Sequence, residues 1–179
     1  MKRLKMPHYR KRGKIEIPLS PEEFEKGMKY GKFIKENHKG FAALLFYSGV
    51  RKTEALRAVK KQFSFVKGVI FFDVGKRLKH GKVTSTLRIP IEKPFAEYIW
   101  KSIEQVKKDN KRIWPYSKKT AYNIIARVWY YPHHLRLTRI TDILEKKNIV
   151  AAKSWTGLTL QSLEYYVGLI EMKEIAETL

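Results

Sequence analysis

The sequence predicts a domain that is mainly α-helical with one small antiparallel β-sheet, an α+β fold. Three observations predict it: apolar residues repeat at helical spacing after residue 94, helix-capping signals stand at Ser20 and Ser117, and β-branched and aromatic residues cluster in one short region. With 44% hydrophobic and 13% aromatic residues, the 179-residue chain can bury one core. Because it has no cysteine, it has neither disulfides nor a thiolate metal site.

The first third of the chain predicts three helices. A capping-box signature begins the first, which is predicted over 20–38. A short buried helix over 41–47 should end at Ser48-Gly49, because glycine commonly follows a helix C-terminus. A third helix is predicted over 51–59.

The middle of the chain predicts a hairpin. Residues 69–74 and 83–91 are rich in β-branched and aromatic side chains, which favour strands, and the basic segment 75–82 should form the turn between them. The remaining segments predict helices, over 94–106, 117–128, 133–146, 148–155, 159–168 and 170–179.

The charge balance predicts a nucleic-acid partner. The chain has 38 Lys and Arg against 17 Asp and Glu, a formal net charge of +21, and so basic a surface binds phosphate backbones by releasing counterions. A membrane is disfavoured because the sequence has no signal peptide, no spanning apolar run and no clean basic amphipathic helix. We therefore expect a cytoplasmic protein that binds nucleic acid, with a flexible basic tail over 1–14 and one domain over 15–179.

Three local patterns carry chemistry. A glycine turn delivers Arg51 to the start of a predicted helix, and Glu54 follows one turn later on the same face. His133 and Arg136 are three positions apart on a second predicted helix. A tyrosine pair, Tyr165-Tyr166, lies near the C-terminus.

In this order, with a basic hairpin between the first two, the patterns resemble the catalytic domain of the tyrosine recombinases, or phage-type integrases. The first family box reads roughly T-G-x-R-x-S-E-L, and residues 48–56 match it with Thr53 at the serine position. The second reads roughly H-x-L-R-H-T-x-A-T-x-L-L, and residues 133–144 fit it in register. The likeness begins at about Ser20, and the final segments resemble integrases of archaeal viruses and plasmids.

The resemblance implies that DNA strands are cut and rejoined through a covalent 3′-phosphotyrosyl bond, with no metal, cofactor or ATP. Cleavage builds negative charge on two non-bridging phosphate oxygens, which fixed guanidiniums can clamp bidentately. We assign Arg51 and Arg136 to this clamp, and Glu54 to orienting Arg51. His133 is assigned to exchange a proton with the tyrosine hydroxyl.

Two assignments stay open between neighbours. The family's general acid is a hairpin lysine: Lys82 fits the register to the second strand more closely, whereas Lys76 lies nearer the usual distance from the first arginine. We place Lys82 first. The nucleophile is Tyr166 or Tyr165, and we place Tyr166 first because its separation from the second arginine is closer to the family spacing.

Trp155 departs from the family pattern. Many members carry a G-H or G-W pair before the tyrosine, and that residue contacts the phosphate. Here Trp155 precedes the glycine instead of following it. Core packing is therefore the favoured interpretation of Trp155, with a supporting role in the site as the alternative.

The resemblance also implies partners. Family members act on double-stranded DNA as tetramers on paired sites; whether the free chain is monomeric stays open. They usually add an N-terminal DNA-clamping domain, so we expect either a catalytic fragment or a minimal member. The alternatives are relaxation of DNA like a type IB topoisomerase and a catalytically silent basic DNA-binding protein, which would form no covalent adduct.

Overall fold

The computed structural model describes residues 18–78, 81–129, 131–156 and 158–177, so the tail predicted over 1–14 lies outside the described residues. The described chain is mainly helical with one small sheet, as predicted. Its helices are α1 Pro21–Tyr30, α2 Glu36–Ser48, α3 Lys52–Arg57, α4 Glu97–Glu104, α5 Lys118–Ala126, α6 Pro132–Lys146, α7 Ile149–Thr156 and α8 Leu160–Glu177. Its strands are β1 Phe63–Val66, β2 Val69–Leu78 and β3 Gly81–Pro90, and a short 3-10 turn covers Lys60–Gln62.

The predicted caps are confirmed. The Ser20 side chain accepts a hydrogen bond from the backbone N–H of Glu23, and the Glu23 carboxylate accepts one from the backbone N–H of Ser20. The Ser117 hydroxyl accepts a hydrogen bond from the backbone N–H of Thr120 at 3.0 Å. Each serine satisfies an amide that the first turn of its helix leaves open.

The first helix is shorter than predicted. It ends at Tyr30, and a new helix begins at Glu36. A side chain at Gly31 would lie 2.7 Å from Val128, so the glycine allows the chain to turn tightly against the end of α5. The prediction of one helix over 20–38 was therefore wrong, and the break falls where Gly31 packs closely against a distant segment.

The sheet contains the predicted hairpin and one strand that the sequence did not reveal. The order is β1-β2-β3, all antiparallel, and the hairpin strands extend through the predicted turn to Leu78 and Gly81. The extra strand β1 joins β2 through Lys67-Gly68, where both residues have positive φ, as a two-residue hairpin turn requires. Its alternation of apolar and polar residues breaks at Phe65-Val66, so the segment lacks the strict pattern that predicts a strand.

Two hydrophobic clusters form the core. The main cluster packs α2, α4 and α5 against the sheet and the start of α6, and includes Phe41, Leu45 and Trp114. The second cluster packs the rest of α6 against α7 and α8; its buried members are Leu137, Ile140, Ile143, Ala152, Leu163 and Tyr166. α6 therefore has a face in each cluster.

The last predicted pair of helices is one continuous helix. α8 passes through Gly168, at which the sequence predicted a break. Glycine inside a helix costs only about 1 kcal/mol relative to alanine, so packing of the preceding turns overrides it. Among the described residues, no helix has the length and hydropathy needed to cross a bilayer.

Candidate active site

The two arginines that the sequence singled out lie in one cavity. Arg51, at the start of α3, and Arg136, on the second turn of α6, both line a cavity of about 310 Å³ together with His133. Distant segments of the chain therefore bring two guanidiniums and an imidazole to the same place.

Arg51 is held from its own helix. Gly49 follows α2 in the left-handed region at φ 63°, which turns the chain toward α3. The Glu54 carboxylate then accepts two hydrogen bonds from Arg51, one from the backbone N–H at 2.6 Å and one from Nη1 at 3.0 Å. The Arg51 side chain keeps 51% of its surface exposed, so it is accessible to a ligand in the cavity.

Arg136 is held by the turn in front of Arg51. Only 4% of Arg136 is exposed, and its Nη1 donates a hydrogen bond to the carbonyl oxygen of Gly49. A guanidinium this deeply buried costs free energy unless its donors are satisfied, so the contact both stabilises Arg136 and locks its direction.

His133 is influenced by both arginines. The residue reaches the solvent at the cavity. Desolvation of its ring, together with the positive charges of Arg136 and Arg51, lowers the pKa of His133 from 6.5 to about 4. The imidazole is therefore neutral at pH 7 and can accept a proton.

The cavity has further walls that the sequence did not single out as a site. Lys52, Tyr122 and Tyr131 line it beside the predicted residues. The ring of Tyr131 stacks on His133, with centroids 6.4 Å apart and planes 13° from parallel. The only sequence signal for two of them is adjacency, because Lys52 follows Arg51 and Tyr131 precedes the second motif by two positions; Tyr122 is adjacent to neither motif.

The tyrosine pair belongs to the second hydrophobic cluster. Tyr166 is 6% exposed in the second cluster, and Tyr165 is partly buried against the same cluster. Their rings meet edge to face at 5.4 Å. Among the described residues that line the cavity, neither tyrosine is present. The structure thus brings together Arg51, His133 and Arg136, and leaves the tyrosines in the core beside α6 and α7.

Comparisons with solved structures identify the fold. The XerH site-specific recombinase bound to its difH substrate in a pre-cleavage complex gives a TM-score of 0.67 at 16% identity, covering 86% of this chain and 51% of that one. The XerA recombinase gives 0.63 at 14% identity, covering 90% and 63%. The Tn1549 transposon integrase in complex with circular intermediate DNA gives 0.61 at 17% identity, covering 87% and 62%.

The chain has the fold of a tyrosine recombinase catalytic domain. It spans between 51% and 63% of the length of these three recombinase structures. At these identities the likeness establishes the fold. No family model matches the sequence, and no curated protein does.

Within this recombinase fold, the two candidate lysines occupy the hairpin. Lys76 is on β2 opposite Val83, and Lys82 is on β3 opposite Arg77. Opposed residues of an antiparallel ladder share a face, and neighbours along a strand alternate. The register therefore assigns the Lys76 and Lys82 positions to opposite faces of the hairpin. Their side chains lie outside what the structure describes.

Trp155 is packed, as the favoured interpretation predicts. It contacts both hydrophobic clusters, and its indole Nε1 donates a hydrogen bond of 2.8 Å to the carbonyl oxygen of Ser48. The donor is therefore directed at the protein backbone. No group of three or more His, Asp or Glu side chains that could hold a metal occurs among the described residues.

Proposed function

We propose that the protein is a site-specific DNA recombinase that cuts and rejoins strands through a 3′-phosphotyrosyl intermediate. The observation that carries this proposal is the convergence of Arg51 and Arg136 with His133 on one cavity. Two fixed guanidiniums match the two non-bridging oxygens of a phosphodiester, and they stabilise the charge that develops there during attack. Lys52 adds a third positive charge at the same cavity.

The electrostatics of His133 support the same ligand. Burial of the ring and the charges of the neighbouring guanidiniums lower the pKa of His133 to about 4 in the free protein, which makes the imidazole a weak base. A bound phosphate brings a negative charge between these groups, so it raises the pKa of His133 toward neutrality. The phosphodiester itself thereby strengthens the group that accepts the tyrosine proton.

The proposed cleavage exchanges one phosphate ester bond for another. The tyrosine oxygen attacks phosphorus and gives its proton to His133, and a phosphotyrosyl bond forms as the bond from phosphorus to the 5′-oxygen breaks. The leaving oxygen takes a proton from Lys82, or from Lys76, and becomes a 5′-hydroxyl. A 5′-hydroxyl of a partner strand then reverses the step, so no ATP is consumed.

The proposal requires α8 to move. Tyr166 is packed with Leu163 and Ile140 in the second cluster, whereas its hydroxyl has to reach a phosphate in the cavity. Release of a buried aromatic side chain costs about 2 to 3 kcal/mol, which contacts with DNA must offset. We therefore propose that α8 shifts on DNA binding.

The proposed partner is double-stranded DNA, bound as a tetramer on paired sites. The net charge of +21 supports DNA, because such a surface releases many counterions when it neutralises phosphates. The expected observation is affinity that falls steeply with salt. Light scattering of the free chain and of its DNA complex tests whether assembly depends on DNA.

Trapping of the covalent adduct tests the proposal. A pool of duplexes, nicked so that the downstream fragment diffuses away after cleavage, is incubated with the protein and separated on a denaturing gel. We expect a protein–DNA adduct, whose mass-mapped peptide contains Tyr166. Tyr166→Phe should abolish the adduct, and Tyr165→Phe should keep it. The reverse pattern moves the nucleophile to Tyr165.

The other outcomes separate the alternatives. Salt-sensitive binding without any adduct would leave a catalytically silent DNA-binding protein. An adduct with relaxation of supercoiled plasmid, but without strand exchange between two sites, would indicate topoisomerase activity. Strand exchange between two duplexes supports the recombinase.

A further inference from the structure

The turn that leads to Arg51 is held by two side chains from the C-terminal part of the chain. The carbonyl oxygen of Ser48 accepts the indole N–H of Trp155 at 2.8 Å. The next carbonyl, that of Gly49, accepts Nη1 of Arg136. Two consecutive carbonyls just before Arg51 are thus fixed by α7 and α6.

The turn has little freedom of its own. The Ser48 hydroxyl donates to the carbonyl oxygen of Leu44 at 2.5 Å and accepts the backbone N–H of Val50 at 3.3 Å. A side chain at Gly49 would come within 3.0 Å of Cγ of Arg139. Because Arg51 follows two residues later, a small rotation of this turn moves its guanidinium relative to Arg136.

Trp155 is itself fixed from several sides. The guanidinium of Arg139 lies 5.1 Å from the centre of its ring, a cation–π arrangement. The indole packs against both hydrophobic clusters, and it belongs to α7, directly ahead of the tyrosine helix α8. Trp155 therefore connects the turn that carries Arg51 to the segment that carries the tyrosines.

We infer that Trp155 is a positioning residue, which through its hydrogen bond to Ser48 sets the place of Arg51 opposite Arg136. In this role Trp155 acts through the turn that carries Arg51 and does not itself contact the phosphate. The catalytic consequence rests on the proposed function, whereas the geometric consequence does not. A misplacement of about 1 Å in a catalytic group can cost on the order of 100-fold in rate.

The first test removes the N–H donor. In Trp155→Phe the aromatic packing is largely kept and the bond to Ser48 is lost. The matched control is Trp100→Phe, because Trp100 Nε1 also donates a 2.8 Å hydrogen bond, to Glu104, and is remote in sequence from the cavity motifs. If Trp155→Phe does not fold, the test uses benzothienylalanine at position 155, which keeps the fused ring and lacks only the N–H.

The readout that is independent of activity is the NMR titration of His133, assigned with His133→Asn. Displacement of Arg51 removes one of the positive charges that lower the pKa of His133. We therefore expect this pKa to rise in the Trp155 variants and to stay unchanged in Trp100→Phe. An unchanged value in both Trp155 variants overturns the inference.

The readout that rests on the proposed function is the rate of adduct formation on the nicked duplex. We expect a loss of about tenfold or more in the Trp155 variants at unchanged DNA affinity. Added to Arg51→Lys, the same change should have almost no further effect, because both act on one group. Full additivity would mean a merely structural role. If the wild type forms no adduct, the proposed function fails, and the His133 titration still decides the inference.

Discussion

The arginine cavity and the tyrosine helix differ in how they hold their candidate catalytic side chains. In the cavity, Arg136 is 4% exposed and bonded to Gly49, and Glu54 holds both the backbone and the side chain of Arg51. In the second cluster, Tyr166 is 6% exposed and packs among aliphatic side chains. One region holds charged groups that line a cavity, and the other holds a tyrosine that is buried in a hydrophobic cluster.

The difference indicates which part of the proposed reaction requires free energy: the movement of the tyrosine, and not the placement of the charged groups. Charged donors stabilise a transition state best when they need no reorganisation, so the fold builds them in advance. In the proposed reaction, the tyrosine oxygen reaches the phosphate only after the proposed shift of α8. α6 contributes to both regions, since Arg136 and His133 stand near its start and Ile140 and Ile143 pack in the second cluster.

Replacing the buried arginine should give the largest effect on the cavity side. Arg136→Lys keeps the charge but loses the planar fork that contacts Gly49. We expect adduct formation to fall by about 100-fold to 1,000-fold, and the free energy of unfolding to fall by about 1 to 3 kcal/mol. Single-turnover cleavage and urea unfolding measure these changes. Arg57→Lys, at an exposed position on α3, is the matched control; a loss below tenfold in Arg136→Lys would contradict the assignment.

A matched pair of leucines tests whether the second cluster can open while the main cluster stays folded. Leu45 is fully buried in the main cluster, and Leu163 is fully buried in the second. Each change to alanine should lower the free energy of unfolding by about 2 to 4 kcal/mol, because apolar burial is lost and a cavity remains. Leu163→Ala should accelerate amide hydrogen exchange in α7 and α8 alone. Leu45→Ala should accelerate it throughout the described chain. Equal acceleration everywhere in both variants would show one cooperative core.

The pKa of His133 predicts a pH dependence. Because this pKa is lowered from 6.5 to about 4, the unfolded chain takes up a proton first as the pH falls. Stability should therefore be lost between pH 6.5 and about 4, with no further loss from this group below that. Urea midpoints of His133→Asn should show a shallower decline. The comparison is best made in a His38→Asn background, since burial also lowers the pKa of His38.

The smallest effect is expected for Glu54. Its ion pair with Arg51 is partly exposed, and such pairs stabilise proteins by about 0 to 1 kcal/mol. Glu54→Gln keeps an acceptor and should lower adduct formation only severalfold, while Glu54→Ala should lower it more. If both variants matched the wild type in single-turnover assays, Glu54 would not orient Arg51.

The motifs that lie within single elements could be predicted from the sequence. Arg51 with Glu54 and His133 with Arg136 are three apart, a spacing that puts side chains on one helical face. The caps at Ser20 and Ser117 are equally local, and both are confirmed.

What the sequence could not predict depends on contacts between distant segments. Gly31, which follows α1, lies close to Val128, and the bond from Trp155 to Ser48 joins residues 107 positions apart. No local sequence pattern indicates which distant residues are in contact. The placement of Tyr131 on the cavity wall was missed for the same reason, since a loop aromatic residue reads as ordinary packing.

The central claim is that Arg51 and Arg136 bind one phosphate. The most direct measurement compares Arg51→Ala and Arg136→Ala on a scissile phosphodiester and on a methylphosphonate, in which a methyl group replaces one charged oxygen. With less negative charge to stabilise, the loss in cleavage rate caused by each substitution should shrink by about tenfold or more on the methylphosphonate. Equal losses on both substrates would contradict a shared phosphate clamp.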